Sequence, residues 1–217
     1  MKNLLKGGAL CAALAIGSPA LADNQYFEVW LNPTITKSVS DKTDVELETA
    51  QRFRSRGDGG RDTYFFRLWV NTKAAKGVTL SGGVEQRWND SQQEQRLLQQ
   101  VSLSAGPIRW RSRFEQRFVD GEQRMAVRFR QRLGLKQTVS KDEKLSVGAN
   151  TELFFTLRSG NRGGQEGLTG LRTIVYGEYE VSKAVTVSLG FLRQRDIREG
   201  RPDRVGNAPL IGLDFSF

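Results

Sequence analysis

The stretch Ile108-Arg109-Trp110-Arg111-Ser112-Arg113-Phe114-Glu115-Gln116-Arg117-Phe118-Val119 decides the fold. Ile108, Trp110, Phe114 and Phe118 share one side of an extended chain, and Arg109, Arg111, Arg113, Glu115 and Arg117 share the other. Side chains alternate with a period of two in a strand and of about 3.6 in a helix. A helix would therefore put arginine on every side, whereas a strand sorts the two chemistries onto opposite faces. The next stretch repeats the pattern, with Met125, Val127, Phe129, Leu133 and Leu135 against Arg124, Arg128, Arg130, Arg132 and Lys136.

Working outward, the same alternation predicts strands at 25–36, 43–55, 62–73, 78–89, 94–105, 108–119, 123–137, 144–157, 170–182, 185–196 and 208–217. Turn residues separate them: Ser40-Asp41-Lys42, Gly57-Asp58-Gly59-Gly60, Lys76-Gly77, Asn89-Asp90, Gly106-Pro107, Asp120-Gly121, Lys141-Asp142 and Ser182-Lys183. The segments are too long for a soluble domain, where strands run to about 5–6 residues. They suit tilted membrane-spanning strands, which need roughly 9–11. The fold class expected is an all-β, up-and-down antiparallel transmembrane β-barrel of about ten to twelve strands. The count is eleven, whereas bacterial single-chain barrels carry an even number. Pro33, which lacks a ladder donor, makes the first segment either partly irregular or the seam of the barrel.

With the apolar face toward lipid, Arg109, Arg111, Arg113, Arg117, Arg124, Arg128, Arg130 and Arg132 form a basic wall inside the lumen. The opposite orientation would put guanidinium groups in hydrocarbon at about 2–4 kcal/mol each near the midplane. By the same alternation Glu28, Glu46, Glu48, Glu85, Glu152, Glu178 and Glu180 also face inward, away from the arginine strands. In so narrow a barrel the opposed charges either interdigitate as a plug or leave a water-filled channel with a transverse field. Val187, Leu189 and Phe191 face out from one late strand, and Ile211, Leu213, Phe215 and Phe217 from the last.

The two ends carry addresses. Residues 1–22 have the form of a secretory signal peptide: Lys2 and Lys6, an apolar stretch from Gly7 to Ile16, and Ala20-Leu21-Ala22 before the cut. The expected mature domain is 23–217. At the other end, Leu213-Asp214-Phe215-Ser216-Phe217 alternates and finishes on an aromatic. It resembles the C-terminal signal by which bacterial outer-membrane barrels reach their assembly machinery, with Phe215 and Phe217 carrying it. The expected location is the outer membrane of a Gram-negative cell, with outer-membrane lipid and lipopolysaccharide as surroundings.

Composition narrows the chemistry. The 217 residues carry 33 Lys+Arg against 24 Asp+Glu, one Cys and no His. Without Lys2 and Lys6 the formal charge falls from +9 to +7. The single Cys, Cys11, lies in the leader, so disulfides cannot stabilise the domain. The lack of His removes the Ser-His-Asp and Cys-His arrangements and His-ligated metals. Outer-membrane lipid hydrolases that use a Ser activated by His are disfavoured for the same reason, and no catalytic residue, cofactor or metal is expected. Glu178 and Glu180 share a strand face, but among so many arginines they read as charge partners rather than as a general acid and base. Nucleic acid is not an expected partner, because the basic side chains end up outside the cytoplasm. The connections at 158–169 and 197–207, with Arg158, Arg162, Arg198, Arg201 and Arg204, suit either lipopolysaccharide phosphates or an inward-folding plug.

Glu94-Gln95-Arg96 with Gln99-Gln100, then Arg111-Ser112-Arg113-Phe114-Glu115-Gln116-Arg117-Phe118, Arg128-Phe129-Arg130-Gln131-Arg132-Leu133 and Glu152-Leu153-Phe154 carry a family likeness. They resemble a bacterial family of short outer-membrane barrels, the domain of unknown function numbered twenty-four ninety. The resemblance spans most of the mature chain and implies an outer-membrane β-barrel with no established activity. From the residues themselves the expected role is a narrow pore for small anionic or acidic solutes. The alternative is a closed structural or interaction barrel with a salt-bridged lumen.

Overall fold

A computed structural model describes residues 24–54 and 61–217. The expected signal peptide at 1–22 and the turn at 57–60 lie outside these residues. The described residues form eleven strands: β1 Asn24–Ser38, β2 Thr43–Arg54, β3 Thr63–Ala75, β4 Val78–Asn89, β5 Gln92–Ala105, β6 Ile108–Val119, β7 Ala126–Thr138, β8 Leu145–Arg158, β9 Gly167–Ser182, β10 Val185–Asp196 and β11 Arg204–Ser216. They close into one barrel in which each strand pairs with its sequence neighbours. The largest departures from the expected boundaries are that β11 starts four residues early, at Arg204, β9 three early, at Gly167, and β7 three late, at Ala126.

The odd count fixes the closure. Neighbours in an up-and-down barrel are antiparallel, so among eleven strands the first and last run the same way. β1 and β11 accordingly pair in parallel, with Asn24 opposite Arg204 and Thr36 opposite Ser216. The even number expected of a bacterial barrel is not found among the described residues. Pro33 lies within β1 at this seam, opposite Leu213. Its pyrrolidine cannot donate to the ladder, and the β1–β2 pairing steps from Leu31–Gln51 to Thr34–Glu48 around it.

The two ends of the barrel differ. At the narrow-turn end, two-residue connections join β3 to β4, β5 to β6 and β9 to β10. Gly77 (φ 73°) and Gly106 (φ 54°) supply the left-handed backbone that two of these turns require. The C-terminus lies here too: Phe217 exchanges backbone hydrogen bonds with Thr36 and Ser38 at 3.0 Å. The long connections 159–166 and 197–203 lie at the opposite, loop end, where β1 begins.

The outer surface is apolar. Leu133 is 60% exposed and Leu189 62%, and Phe66, Leu68, Val70, Leu97, Val175 and Phe191 are exposed with them. Near the loop end Phe53 meets Tyr64 edge-on with centroids 6.5 Å apart, and Tyr64 stacks on Trp88 at 6.1 Å. Amphipathic aromatics at that height match the interfacial girdle of a membrane barrel. Among the described residues no helix is long and apolar enough to cross a membrane.

The buried residues are inside the lumen. Trp30, Leu192 and Ala208 form an apolar cluster, with Ile174 and Leu210 packed against it, on the wall made by β9, β10, β11 and β1. Facing it are Arg67, Arg96, Arg113, Arg130, Glu85, Glu94, Glu115 and Glu152, all buried. Wide rings rest on glycines of the neighbouring strand: a methyl group at Gly148 would stand 2.4 Å from the Tyr176 ring.

Candidate functional site

The charged wall is a continuous ion-pair ladder spanning β2 to β9. Arg67 bridges Glu48 and Glu85, each at 2.5 Å. Glu85 continues to Arg96 at 3.2 Å, and Arg96 holds Glu94 at 2.7 Å while standing 3.7 Å from Glu115. Arg130 joins Glu115 to Glu152, each at 2.7 Å. Glu152 also takes Arg111 and, at 3.8 Å, Arg172, while Arg117 closes on Glu94. The strands build this ladder because inward positions of neighbours share one height: Arg67 stands directly opposite Glu85, and Arg130 lies diagonally between Glu115 on β6 and Glu152 on β8. Opposite charges at such cross-strand positions attract, and in a confined lumen each bridge is desolvated and must be complete to be stable.

The lumen holds two chambers. The outer one, toward the loop end, has a volume of about 560 Å³ and is lined by thirteen arginines against Glu48, Glu85, Glu94, Glu152 and Asp196. The inner one, toward the narrow turns, measures about 400 Å³ and is lined by Arg109, Lys136, Asn150, Tyr176, Glu178 and Ser188, among others. Arg111, Arg132, Ile174 and Leu210 line both and mark the neck between them.

Most of the arginines singled out in the sequence come together here. Arg111, Arg117 and Arg130 belong to the ladder. Arg113 donates to Gln100 Oε1 from Nε at 2.9 Å and from a terminal nitrogen at 2.7 Å, and lies 4.8 Å from the Trp69 ring centre. Arg128 and Arg132 line the outer chamber and make no ion pair among the described residues. Arg109 sits at the inner mouth, donating to the carbonyls of Gly106 and Ile108 at 2.5 and 2.9 Å. Arg124 is not in the wall. It precedes β7, is exposed, and donates to the Ser159 carbonyl at 2.8 Å and to Glu166 at 3.4 Å. The Asp120-Gly121 turn runs on to Met125, so Arg124 is loop rather than strand.

The carboxylates divide differently from expectation. Glu48, Glu85 and Glu152 are in the ladder. Glu28 takes Arg54 and the Trp30 indole N–H, Glu46 accepts from Asn71 at 3.3 Å, and Glu178 takes Lys136 at the inner chamber. Glu180 is exposed at the narrow-turn end and lines neither chamber. The acids do not stand apart from the arginine strands: Glu94 and the fully buried Glu115 sit on β5 and β6 among the arginines. The charges interdigitate, and the wall facing them carries the apolar cluster around Trp30, with Glu28 and Asp196 as its acids toward the loop end.

Several functional residues lie outside the sequence-based selection. Arg67 falls between Phe65 and Trp69 on an inward face that is itself aromatic, so the apolar-out rule passes over it. Glu94, Arg96 and Glu115 were legible, since each shares the parity of the neighbouring inward arginines. Arg52, Arg87 and Arg172 are isolated arginines on strands whose two faces are both mixed.

The loops form a tied rim. The Arg162 N–H donates to Gln123 at 3.1 Å, and Gln165 donates to the Ile197 carbonyl at 3.0 Å. Asp203 accepts from the Arg198 N–H at 3.0 Å and from Arg195 at 2.5 Å. Desolvation works to raise the Asp203 carboxyl, but these donors outweigh it and hold the group below its ordinary value. Of the stretches 158–169 and 197–207, only Thr169 and Arg204, which belong to β9 and β11, line a chamber.

A closed barrel with an apolar exterior and a charged, chambered lumen is a transmembrane β-barrel of porin-like architecture. The chain belongs to a family described as a protein of unknown function (DUF2490), whose pattern matches residues 27–205. Its fold is similar to that of the NanC porin in a rhombohedral crystal form, with a TM-score of 0.59 at 9% identity over 88% of this chain and 98% of that one. A structure from work on in-meso crystallization of membrane proteins is more distant, at a TM-score of 0.45 and 13% identity over 82% of this chain and 78% of that one. No curated protein matches the chain.

Proposed function

We propose that this protein is an outer-membrane barrel that passes small anionic solutes through a narrow, arginine-lined lumen. The observation that carries the reading is the excess of positive charge around the outer chamber: thirteen arginines line it against five acids, to which Glu28 and Glu115 add two more as partners of lining arginines. A lumen filled only for stability would approach charge balance, because an uncompensated buried charge is costly. Here Arg52, Arg87, Arg128 and Arg132 stay outside the ladder, so the chamber attracts anions and repels cations. The neck at Arg111 and Arg132 then acts as the selectivity surface, and Phe215 and Phe217 serve as the assembly signal. Because the lumen supplies charge and shape rather than a nucleophile with its base, the role is passage and not catalysis.

Proteoliposomes test this directly. Purified barrel should let gluconate in faster than the similarly sized cation N-methylglucamine, and equal or absent uptake of both overturns the proposal. A second reading, a closed structural barrel, is favoured by Glu152 alone, which ties together three arginines from β6, β7 and β9 across the neck. On that reading neither solute enters.

A further inference from the structure

The ladder leaves a specific set of guanidinium groups unused, and they collect in one place. Arg52, Arg87 and Arg128 all line the outer chamber, and none makes an ion pair or donates a side-chain hydrogen bond among the described residues. Arg52 is only 9% exposed, yet its Nε has no partner; the Nε of Arg128 is likewise buried and unpartnered. Orphaned charged donors in a buried position are rare, because each forfeits hydration without a replacement.

Their setting is built rather than accidental. The Arg52 guanidinium carbon sits over the Trp30 ring, 3.7 Å from its centre, and that of Arg172 approaches the same ring at 4.9 Å. Stacking uses the face of the guanidinium plane and leaves its in-plane N–H fork for a ligand. Arg172 is held in turn by Gln194, which accepts from its Nε at 3.0 Å. Arg52, Arg87 and Arg128 enter the same chamber from β2, β4 and β7. Like charges sharing one cavity without carboxylate partners are unfavourable until an anion joins them.

We propose that the outer chamber contains a binding site for a compact solute bearing two or more negative charges, a polycarboxylate or a phosphate monoester, liganded by Arg52, Arg87 and Arg128. This rests on the reading of the lumen as a solute passage and names the class of solute it favours. A singly charged anion can satisfy one fork only, whereas a multivalent one bridges several and cancels their mutual repulsion. The volume of about 560 Å³ is ample for such a solute and falls in the usual range of small-molecule sites.

Titration calorimetry on the folded barrel in detergent, with citrate and acetate as probes, reads the site without requiring an open channel. Citrate should bind at least tenfold more tightly than acetate. R52Q and R87Q should each weaken citrate at least tenfold, and R124Q, at the rim, should not. Because the Arg128 side chain makes no ion pair or hydrogen bond among the described residues, R128Q should also fold normally and lose citrate affinity, which keeps the test valid should R52Q or R87Q fail to fold. Equal affinity for the two probes, or undiminished citrate binding by R52Q, R87Q and R128Q, overturns the proposal. Citrate binding by a barrel that conducts nothing would overturn passage while leaving the site. Conduction without a citrate preference would overturn the site alone.

Discussion

The two walls of the lumen solve the problem of a narrow barrel in opposite ways. From β2 to β9 the interior is filled by long side chains that carry their own counter-charges, with Arg67, Arg96 and Arg130 each bridging at least two carboxylates. From β10 through β11 to β1 its middle is filled by small and apolar groups, with Leu192 and Ala208 packed on Trp30 and Gly212 against Ser188, and polar side chains such as Glu28 and Asp196 lie toward the loop end. The first wall is desolvated and stable only when every partner is present, so its energy is concentrated in a few carboxylates. The second follows ordinary hydrophobic packing and tolerates graded change. Arg52 and Arg172 stand at the join, both against the Trp30 ring, where Arg172 still reaches Glu152 but Arg52 makes no ion pair among the described residues.

The seam inside the apolar wall makes the largest, all-or-none prediction. Since β1 and β11 run in parallel, residue 24 and Phe217 lie at opposite ends of the barrel. Protease sites placed before residue 24 and after Phe217, in barrels inserted in one direction, should be cut from opposite faces of the membrane. Cutting of both from one face would mean an even strand number and would break the parallel seam.

Next come the walls themselves. Glu115→Gln removes a fully buried charge that accepts from Arg130 at 2.7 Å and faces Arg96. It should cost about 3–5 kcal/mol of unfolding free energy, the usual penalty for leaving a buried partner unpaired. Urea titration followed by the loss of heat-modifiable gel mobility reads this. Leu192→Ala should cost about 2 kcal/mol, the low end for a Leu truncation, because lumen water can enter the gap. A Leu192→Ala penalty equal to that of Glu115→Gln would erase the distinction between the walls.

Much of the barrel is legible in the sequence because strand period and lipid impose one rule at once. Where the outward face is apolar and the inward face charged, as in Ile108–Val119, both strand and orientation follow. The rule fails where the inward face is apolar as well. Phe65, Trp69, Trp30, Phe154 and Leu192 point into the lumen, so alternation alone could not show that one wall is apolar. Nor does a strand reveal its neighbour's register, which is why the acids looked separate from the arginines until Arg132 was seen opposite Glu152 and Glu115 opposite Arg128. Arg124 was misplaced for a simpler reason: alternation carried through a loop looks like alternation along a strand.

The central claim is that charge left over from the ladder makes the lumen selective for anions. Single-channel recording in a planar bilayer under a potassium chloride gradient measures that most directly. Wild-type barrel should show steady conductance with a reversal potential on the chloride side of zero, and R52Q/R87Q/R128Q should move it toward zero. A cation-selective or unselective reversal potential, or silence from barrel shown to be folded and inserted, would contradict the account.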